Sequence, residues 1–152
     1  MRFEKQVSVD APRQAVWDFL WDMPRLTSCI PGCDGVEAIE PYKRYQATVR
    51  DRVGPFKVQV PLAIEVLAAT APTRLLARAH GKDTTVQSLV KVEVDLTLLA
   101  TSPTATLLQF SADVTVLGKL GTLGHSIIVR RGDAIIEQFT AALQAALRHE
   151  ES

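Results

Sequence analysis

The sequence predicts an α+β fold in which a curved, seven-stranded antiparallel sheet, two short N-terminal helices and a long C-terminal helix enclose a hydrophobic cavity. Three observations lead to this prediction. Hydrophobic and polar residues alternate through the middle of the chain, as they do in strands with one buried face. Beyond Gly118 the apolar residues recur with the 3.6-residue period of a helix. No linker or repeat interrupts the 152 residues, so we expect one domain spanning residues 1–152.

The first thirty residues predict one strand and two short helices. Phe3 to Val9 alternates as a strand does. Asp10 is placed to cap the first helix, and Pro12 falls near its first turn, where a missing N–H costs nothing. The apolar stripe of that helix comprises Ala15, Val16, Phe19 and Leu20. Pro24 interrupts it, and a short second helix is predicted over Pro24–Ser28.

Six more strands are predicted in the middle of the chain. They cover Val36–Glu40, Tyr45–Asp51, Val58–Val66, Leu75–Ala79, Val86–Leu98 and Thr106–Val116. Apolar and polar residues alternate most regularly in Val86–Leu98, and Pro103 between the last two strands suits a hairpin turn. Pro61 has no backbone N–H to donate, which predicts a sheet edge or a bulge.

The last predicted element is a helix of about six turns. Its apolar face consists of Leu123, Ile127, Ile128, Ile135, Phe139, Ala142, Leu143, Ala146 and Leu147, together with the charged Arg131. A helix this long and apolar needs a sheet beneath it, and a curved sheet commonly leaves a hollow under the helix.

Charge and composition exclude several classes of protein. Seventeen Lys and Arg residues balance seventeen Asp and Glu residues, which argues against binding nucleic acid through its phosphates. Hydrophobic residues make up 47% of the chain and aromatic residues only 6%, so the interior is aliphatic. The charged N-terminus lacks a following apolar run, and no stretch approaches the roughly 18 apolar residues of a membrane span. We expect a cytoplasmic protein, with peripheral contact at the inner face of the membrane as an option.

Several segments resemble a known superfamily. Val9-Asp10-Ala11-Pro12 followed by Val16-Trp17-Asp18-Phe19-Leu20 is similar to the start of START-like (SRPBCC, Bet v 1-like) proteins, which bind hydrophobic ligands in a helix-grip fold. Three further segments resemble the CoxG subgroup, whose members are named as the G subunit of carbon monoxide dehydrogenase. They are Ile30-Pro31-Gly32-Cys33, Val53-Gly54-Pro55-Phe56 and the glycine-containing stretch from Val116 to Gly124. These segments occur in the expected order over nearly the whole chain.

The resemblance implies an accessory protein and not a catalytic subunit. Members of the subgroup are associated with molybdenum-containing CO dehydrogenases and related hydroxylases, which they attach to the membrane or couple to the respiratory chain. The implied function is non-catalytic binding of a hydrophobic molecule, a quinone or a lipid, in partnership with such a hydroxylase. No cofactor is expected.

The residues expected to line the cavity come from the inward faces of the predicted elements. They are Phe19, Ile30, Tyr45, Val49, Phe56, Val58, Val90, Val92, Phe110, Val114, Leu123, Ile127, Arg131 and Ile135. Two of them have alternative interpretations. Arg131 either pairs with a carboxylate of the sheet or contacts an oxygen of the ligand. Tyr45 either supplies a hydroxyl to the cavity or packs with its tip in water.

The remaining candidate chemistry is sparse. Cys29 and Cys33 are spaced C-x3-C, but no histidine lies at ligand spacing, so buried structural cysteines are favoured over a metal site. The glycines after Val116 serve either a turn or a gate over the cavity. An enzyme of the cyclase or hydrolase kind would depend on Tyr45, His80 and Arg131. A third alternative is an interaction module with a solid core.

Overall fold

A computed structural model describes residues 1–83 and 85–150. The strands are β1 (Arg2–Val9), β2 (Cys33–Glu40), β3 (Arg44–Val53), β4 (Phe56–Thr70), β5 (Arg74–Asp83), β6 (Ser88–Ser102) and β7 (Ala105–Gly118). The helices are α1 (Arg13–Trp21), α2 (Met23–Cys29) and α3 (His125–Glu150), with a 3₁₀ turn over Lys119–Leu123. The predicted order of elements is confirmed. Val86, which was predicted to begin β6, instead lies buried in the turn before it.

The seven strands form one antiparallel sheet in the order β1-β7-β6-β5-β4-β3-β2. The chain therefore starts at one edge, crosses to the opposite edge through α1 and α2, and returns strand by strand to β7, which pairs with β1. This arrangement places both short helices and α3 against the same sheet, as the fold class requires.

The inner face of the sheet can be identified from two contacts with α3. Phe3 in β1 lies against Gly132, and Asp51 in β3 pairs with Arg131. Side chains alternate between faces along each strand, and the pairing register carries that alternation from β1 across to β3. The register therefore assigns Val92 and Val114 to the inner face and Lys91 to the outer face.

The helix caps differ from the sequence prediction. Asp10 does not cap α1, whose N-cap is Pro12 without any side-chain hydrogen bond. The segment before α1 is held instead by the buried Thr106 hydroxyl, which donates to the Ala11 carbonyl at 2.8 Å, so the helix starts later than Asp10 could reach. Asp22 is the acidic cap that the structure uses, because its carboxylate accepts the Arg25 N–H at the start of α2.

Pro61 lies in an interior strand and in regular register with β3, so neither the predicted edge nor the predicted bulge is found there. β4 is flanked by β3 and β5, and Pro61 itself pairs with Thr48 of β3. The ladder between β4 and β5, however, begins only at the Leu62–Gly81 pair. Pro61 is just outside that ladder, so its missing N–H removes no bond to β5.

The turn from β7 into α3 depends on Gly118. Its φ of +84° is unfavourable for other residues, and a Cβ there would lie 2.1 Å from the Gln87 carbonyl oxygen. This supports the turn interpretation of the glycines. The predicted helical stripe also begins too early, because Leu123 belongs to the 3₁₀ turn and α3 starts at His125.

In the described part of the chain, the hydrophobic core consists of two separate clusters. The larger one joins α1, α2, the second half of α3 and the adjoining parts of β1, β6 and β7, with Phe19, Leu98, Leu143 and Leu147 among its most buried members. The smaller one comprises Val58, Val60, Val86 and Leu120, with Phe56 and Leu123 packed against it. The clusters lie toward opposite ends of the molecule, and this separation positions the candidate site.

Candidate ligand-binding site between the sheet and the long helix

The candidate site is the region of the inner face that lies between the two core clusters. Its apolar side chains belong to neither cluster and are only partly buried, although they face the helix side of the sheet. They include Val49, Ile64, Ala79, Val90, Val92, Val94 and Val114. Within the described residues, α3 makes its closest backbone approaches to the sheet at β1 and β3. The backbones of the central strands lie farther from the helix than those of β1 and β3.

Eleven of the fourteen predicted lining residues fall into three groups. Val49, Val90, Val92, Val114, Ile127 and Ile135 lie on the facing surfaces of the sheet and α3 and stay partly or largely exposed. Val58 belongs to the smaller cluster, Phe56 and Leu123 pack against it, and the three form one end of the region. Phe19 and Phe110 belong to or pack against the larger cluster at the other end. Phe19 is nearly fully buried, with the Arg25 guanidinium 4.8 Å from its ring centroid.

The smaller cluster is fixed by a buried carboxylate. Asp83 is fully buried and accepts hydrogen bonds from the backbone N–H groups of Gln59 at 2.6 Å and Val86 at 2.9 Å. Burial by itself raises the pKa of Asp83, but these bonds and one from Thr85 outweigh burial and hold the pKa below its usual value. The carboxylate thus ties the turn before β6 to β4. Sequence patterns alone provided no reason to single it out.

The segment after β7 closes this end of the region. Leu120 is buried in the smaller cluster, and its backbone N–H donates to the buried Ser88 hydroxyl at 3.0 Å. By contrast, Ile127 in the first turn of α3 is 38% exposed although it lies on the apolar stripe. Ile127 is therefore an apolar side chain exposed to solvent at this end of the region.

Arg131 forms an ion pair with Asp51, which is the sheet-carboxylate alternative considered for it. Its Nε and Nη2 atoms donate to both carboxylate oxygens at 2.7–3.1 Å. The side chains are 32% and 16% exposed, so the pair is largely shielded from water. The hydrogen bonds to Asp51 raise the pKa of Arg131 further, against the opposing effect of burial. The pair joins α3 to β3 on one side of the candidate site.

Gly132 lets α3 pack closely against β1, at the edge of the sheet. A Cβ at this position would lie 2.5 Å from the Phe3 ring, so only glycine lets the helix come this close to β1. Neighbouring residues of α3 thus contact strands toward opposite edges of the sheet, with Arg131 contacting β3 and Gly132 contacting β1. The apolar stripe read from the sequence contained Arg131 but carried no signal for Gly132.

Tyr45 and Ile30 lie near the end of the site that faces α1 and α2. Tyr45 is buried, and its hydroxyl accepts the Tyr42 N–H at 2.7 Å. Ile30 is the C-cap of α2 and is partly buried. His80 is exposed and points to the outer face, since its neighbour Ala79 faces inward. The three residues considered for catalysis, Tyr45, His80 and Arg131, are therefore not brought together.

The cysteines are free, and the described residues offer no metal site. Cys29 is buried in the larger cluster, and burial raises the pKa of its thiol. Cys33 is partly buried at the start of β2. Within residues 1–83 and 85–150, no three His, Cys, Asp or Glu side chains are grouped as metal ligands. None of the described helices combines the length and hydrophobicity needed to cross a membrane.

A curved antiparallel sheet around a long C-terminal helix, with apolar side chains on the facing surfaces, is the helix-grip fold also found in START/Bet v 1-like proteins. The particular family follows from the sequence, because residues 6–148 match the model of the CoxG family, the G subunit of carbon monoxide dehydrogenase. The chain belongs to this family. No curated protein matches it significantly.

Solved structures confirm the fold. A conserved protein from Geobacillus kaustophilus is 21% identical, with 98% of this chain and 96% of that chain covered and a TM-score of 0.88. A START superfamily protein from Mycobacterium smegmatis is 16% identical, with 97% of both chains covered and a TM-score of 0.77. The Zhui aromatase/cyclase from Streptomyces sp. R1128 is 17% identical, with 99% and 92% covered and a TM-score of 0.67. At these identities the likeness establishes the fold alone.

Proposed function

We propose that this protein is a non-catalytic accessory protein that holds a quinone or a lipid for a molybdenum-containing, CO dehydrogenase-type hydroxylase. The observation that carries the proposal is the row of partly buried apolar side chains between two packed clusters. Apolar surface in that position is stabilised when a hydrophobic molecule replaces water against it, by about 25 cal/mol per Å² removed from water. Membership of the CoxG family supports the choice of a CO dehydrogenase-type partner.

Arg131 is suited to hold the polar end of the ligand. Its Nη1 atom makes no hydrogen bond to the described residues, whereas Nε and Nη2 are engaged by Asp51. A guanidinium held in place by one carboxylate can still donate from its free nitrogen to a quinone carbonyl or a lipid ester. The ligand would then lie with its polar end beside Arg131 and its apolar part along Val92 and Val114.

The charge distribution supports peripheral contact with an anionic membrane. The end of the molecule that carries the smaller cluster has five exposed basic residues without an ion-pair partner among the described residues: Arg52, Lys57, Lys82, Lys119 and Arg130. Asp83 is the one described carboxylate within residues 52–59, 82–88 and 117–130, and it is buried. Each basic residue near an anionic bilayer contributes about 1 kcal/mol. The exposed Ile127 lies at the same end, so ligand exchange with the membrane would take place there.

The ligand proposal is tested by blocking the site. Val92→Trp places a large ring on the inner face, and Lys91→Trp places the same ring on the outer face one residue away. Native mass spectrometry after incubation with a short-chain ubiquinone or menaquinone, and separately with phospholipid, reports the bound fraction. We expect binding by the wild type and the Lys91→Trp variant and a loss of at least about tenfold with Val92→Trp. Binding that Val92→Trp leaves unchanged would refute the location, and no binding of either class by the wild type would favour the interaction module.

The membrane proposal needs a separate experiment. Co-sedimentation with vesicles containing phosphatidylglycerol is compared for two triple variants with the same change in charge. Lys57→Gln, Lys82→Gln and Lys119→Gln together should abolish most binding, whereas Lys5→Gln, Lys91→Gln and Arg148→Gln together should retain it. Equal losses in the two triple variants would mean that only net charge matters, which contradicts a specific membrane-facing end.

A further inference from the structure

The chain places all of its Trp and Tyr side chains in one aromatic cluster, which reaches from Tyr45 at one end of the candidate ligand site to the surface. The cluster consists of Trp17, Trp21, Tyr42 and Tyr45. The ring centroid of Trp21 lies 5.9 Å from that of Trp17, 4.9 Å from that of Tyr42 and 6.5 Å from that of Tyr45. Trp17 belongs to the core, and Trp21 joins it to the surface.

Tyr42 is the outermost ring of the cluster and is held there at a conformational cost. The residue is 63% exposed, and its φ of +67° is unusual for a bulky side chain. The backbone N–H of Tyr42 donates to the Tyr45 hydroxyl, which fixes the turn. A strained residue that exposes an aromatic ring to water is typical of positions kept for binding.

A groove of about 410 Å³ lies beside these rings, and its polar lining is acidic. Among the described residues its lining consists of Gln14, Trp17, Asp18, Trp21, Asp22 and Tyr42, none of which is basic. Asp18 accepts from the Gln14 side chain, and Asp22 accepts from the Arg25 backbone N–H. Neither carboxylate has a cationic side chain as its partner within the described residues. Aromatic faces and unneutralised carboxylates together attract a cation.

We infer that this groove binds a guanidinium group, presented as an arginine side chain by a partner protein. A guanidinium matches both features of the lining, since its flat face stacks on Trp21 or Tyr42 while its N–H groups donate to Asp18 or Asp22. A quaternary ammonium group would use the rings but has no N–H to donate. One stacked and hydrogen-bonded cation gives affinity only in the millimolar range, which suits one contact within a larger protein interface better than capture of a free metabolite.

The inference does not depend on the function proposed for the interior, because the groove is outside the apolar site. It is tested with the tripeptide Gly-Arg-Gly, blocked at both ends, and with the same peptide carrying citrulline, the neutral isostere of arginine. Binding is followed by NMR shifts of the Trp indole N–H groups. We expect saturable shifts with millimolar affinity for the arginine peptide and at least about tenfold weaker binding of the citrulline peptide. Equal binding of the two peptides would overturn the inference.

Variants locate the site and control for folding. Asp18→Asn removes one charge and Tyr42→Leu removes the exposed ring. Each should lower the affinity for the arginine peptide by at least about threefold. Tyr42→Phe keeps the ring, and Glu137→Gln removes an exposed charge elsewhere, so both should bind normally. Normal binding by both Asp18→Asn and Tyr42→Leu would refute the location. Methylguanidinium that bound more tightly than the arginine peptide would replace the protein partner with a free guanidino compound.

Discussion

Breaking the Arg131–Asp51 pair gives the most informative test of how the long helix is held over the sheet. Exposed ion pairs contribute about 0.2–1 kcal/mol, whereas removing one partner of a buried pair costs about 3–5 kcal/mol. With side chains 32% and 16% exposed and two guanidinium nitrogens engaged, this pair lies between those limits. We expect Arg131→Gln and Asp51→Asn each to lower the free energy of unfolding by about 2 kcal/mol.

A double-mutant cycle separates the pair itself from other effects of each substitution. Urea unfolding followed by Trp fluorescence is suitable, because Trp17 packs in the larger cluster. The expected coupling free energy is about 1–2 kcal/mol. The control cycle uses Arg78 and Glu65, an outer-face pair at 3.1 Å whose side chains are 50% and 48% exposed. A coupling at Arg131–Asp51 no larger than that of the control pair would refute the view that the pair fastens α3 to β3.

Three further predictions concern stability. Asp83→Asn should lower the free energy of unfolding by about 1–3 kcal/mol near neutral pH. Because folding lowers the pKa of Asp83, its stabilising contribution is complete above the ordinary carboxylate pKa and is lost as pH falls through the folded-state pKa. The free energies of unfolding of wild type and variant, measured by urea titration, should therefore converge in acid. A difference that stays constant with pH would contradict this account. Gly132→Ala should destabilise the protein by about 1 kcal/mol despite the better helix propensity of Ala, because the added Cβ meets the Phe3 ring. In thermal melts, adding Phe3→Leu should recover part of the loss. A Gly132→Ala variant more stable than the wild type would show that the Phe3 ring moves aside. Leu120→Ala should cost about 2–4 kcal/mol in urea unfolding, and a loss below about 1 kcal/mol would mean that the turn after β7 is not anchored.

The architecture was predictable because each element carries its own period. Apolar and polar residues alternate along β4, β6 and β7, and apolar residues recur every 3.6 residues along α3. Both patterns arise because one face of each element is buried, so they can be recognised without tertiary information. Strand ends were less predictable. Val86 continues the alternating pattern of β6 but lies in a turn, because Asp83 accepts its N–H and bends the chain there.

The site was harder to predict because its decisive contacts join distant residues. Arg131 and Asp51 are 80 residues apart, and nothing local in either segment identifies the other as its partner. Periodicity also cannot distinguish a side chain that packs in a core from one that faces a ligand. Phe19 and Val92 both lie on inward faces, yet Phe19 is sealed inside the larger cluster while Val92 stays partly accessible.

The measurement that tests the central claim most directly is a methyl NMR titration with a short-chain quinone. The account predicts saturable shifts of the Val92 and Val114 methyl groups, while Val16, which is buried in the larger cluster, stays unchanged. Shifts confined to outward-facing residues, or no shift in any valine at saturating quinone, would contradict the claim that a hydrophobic molecule binds between the sheet and α3.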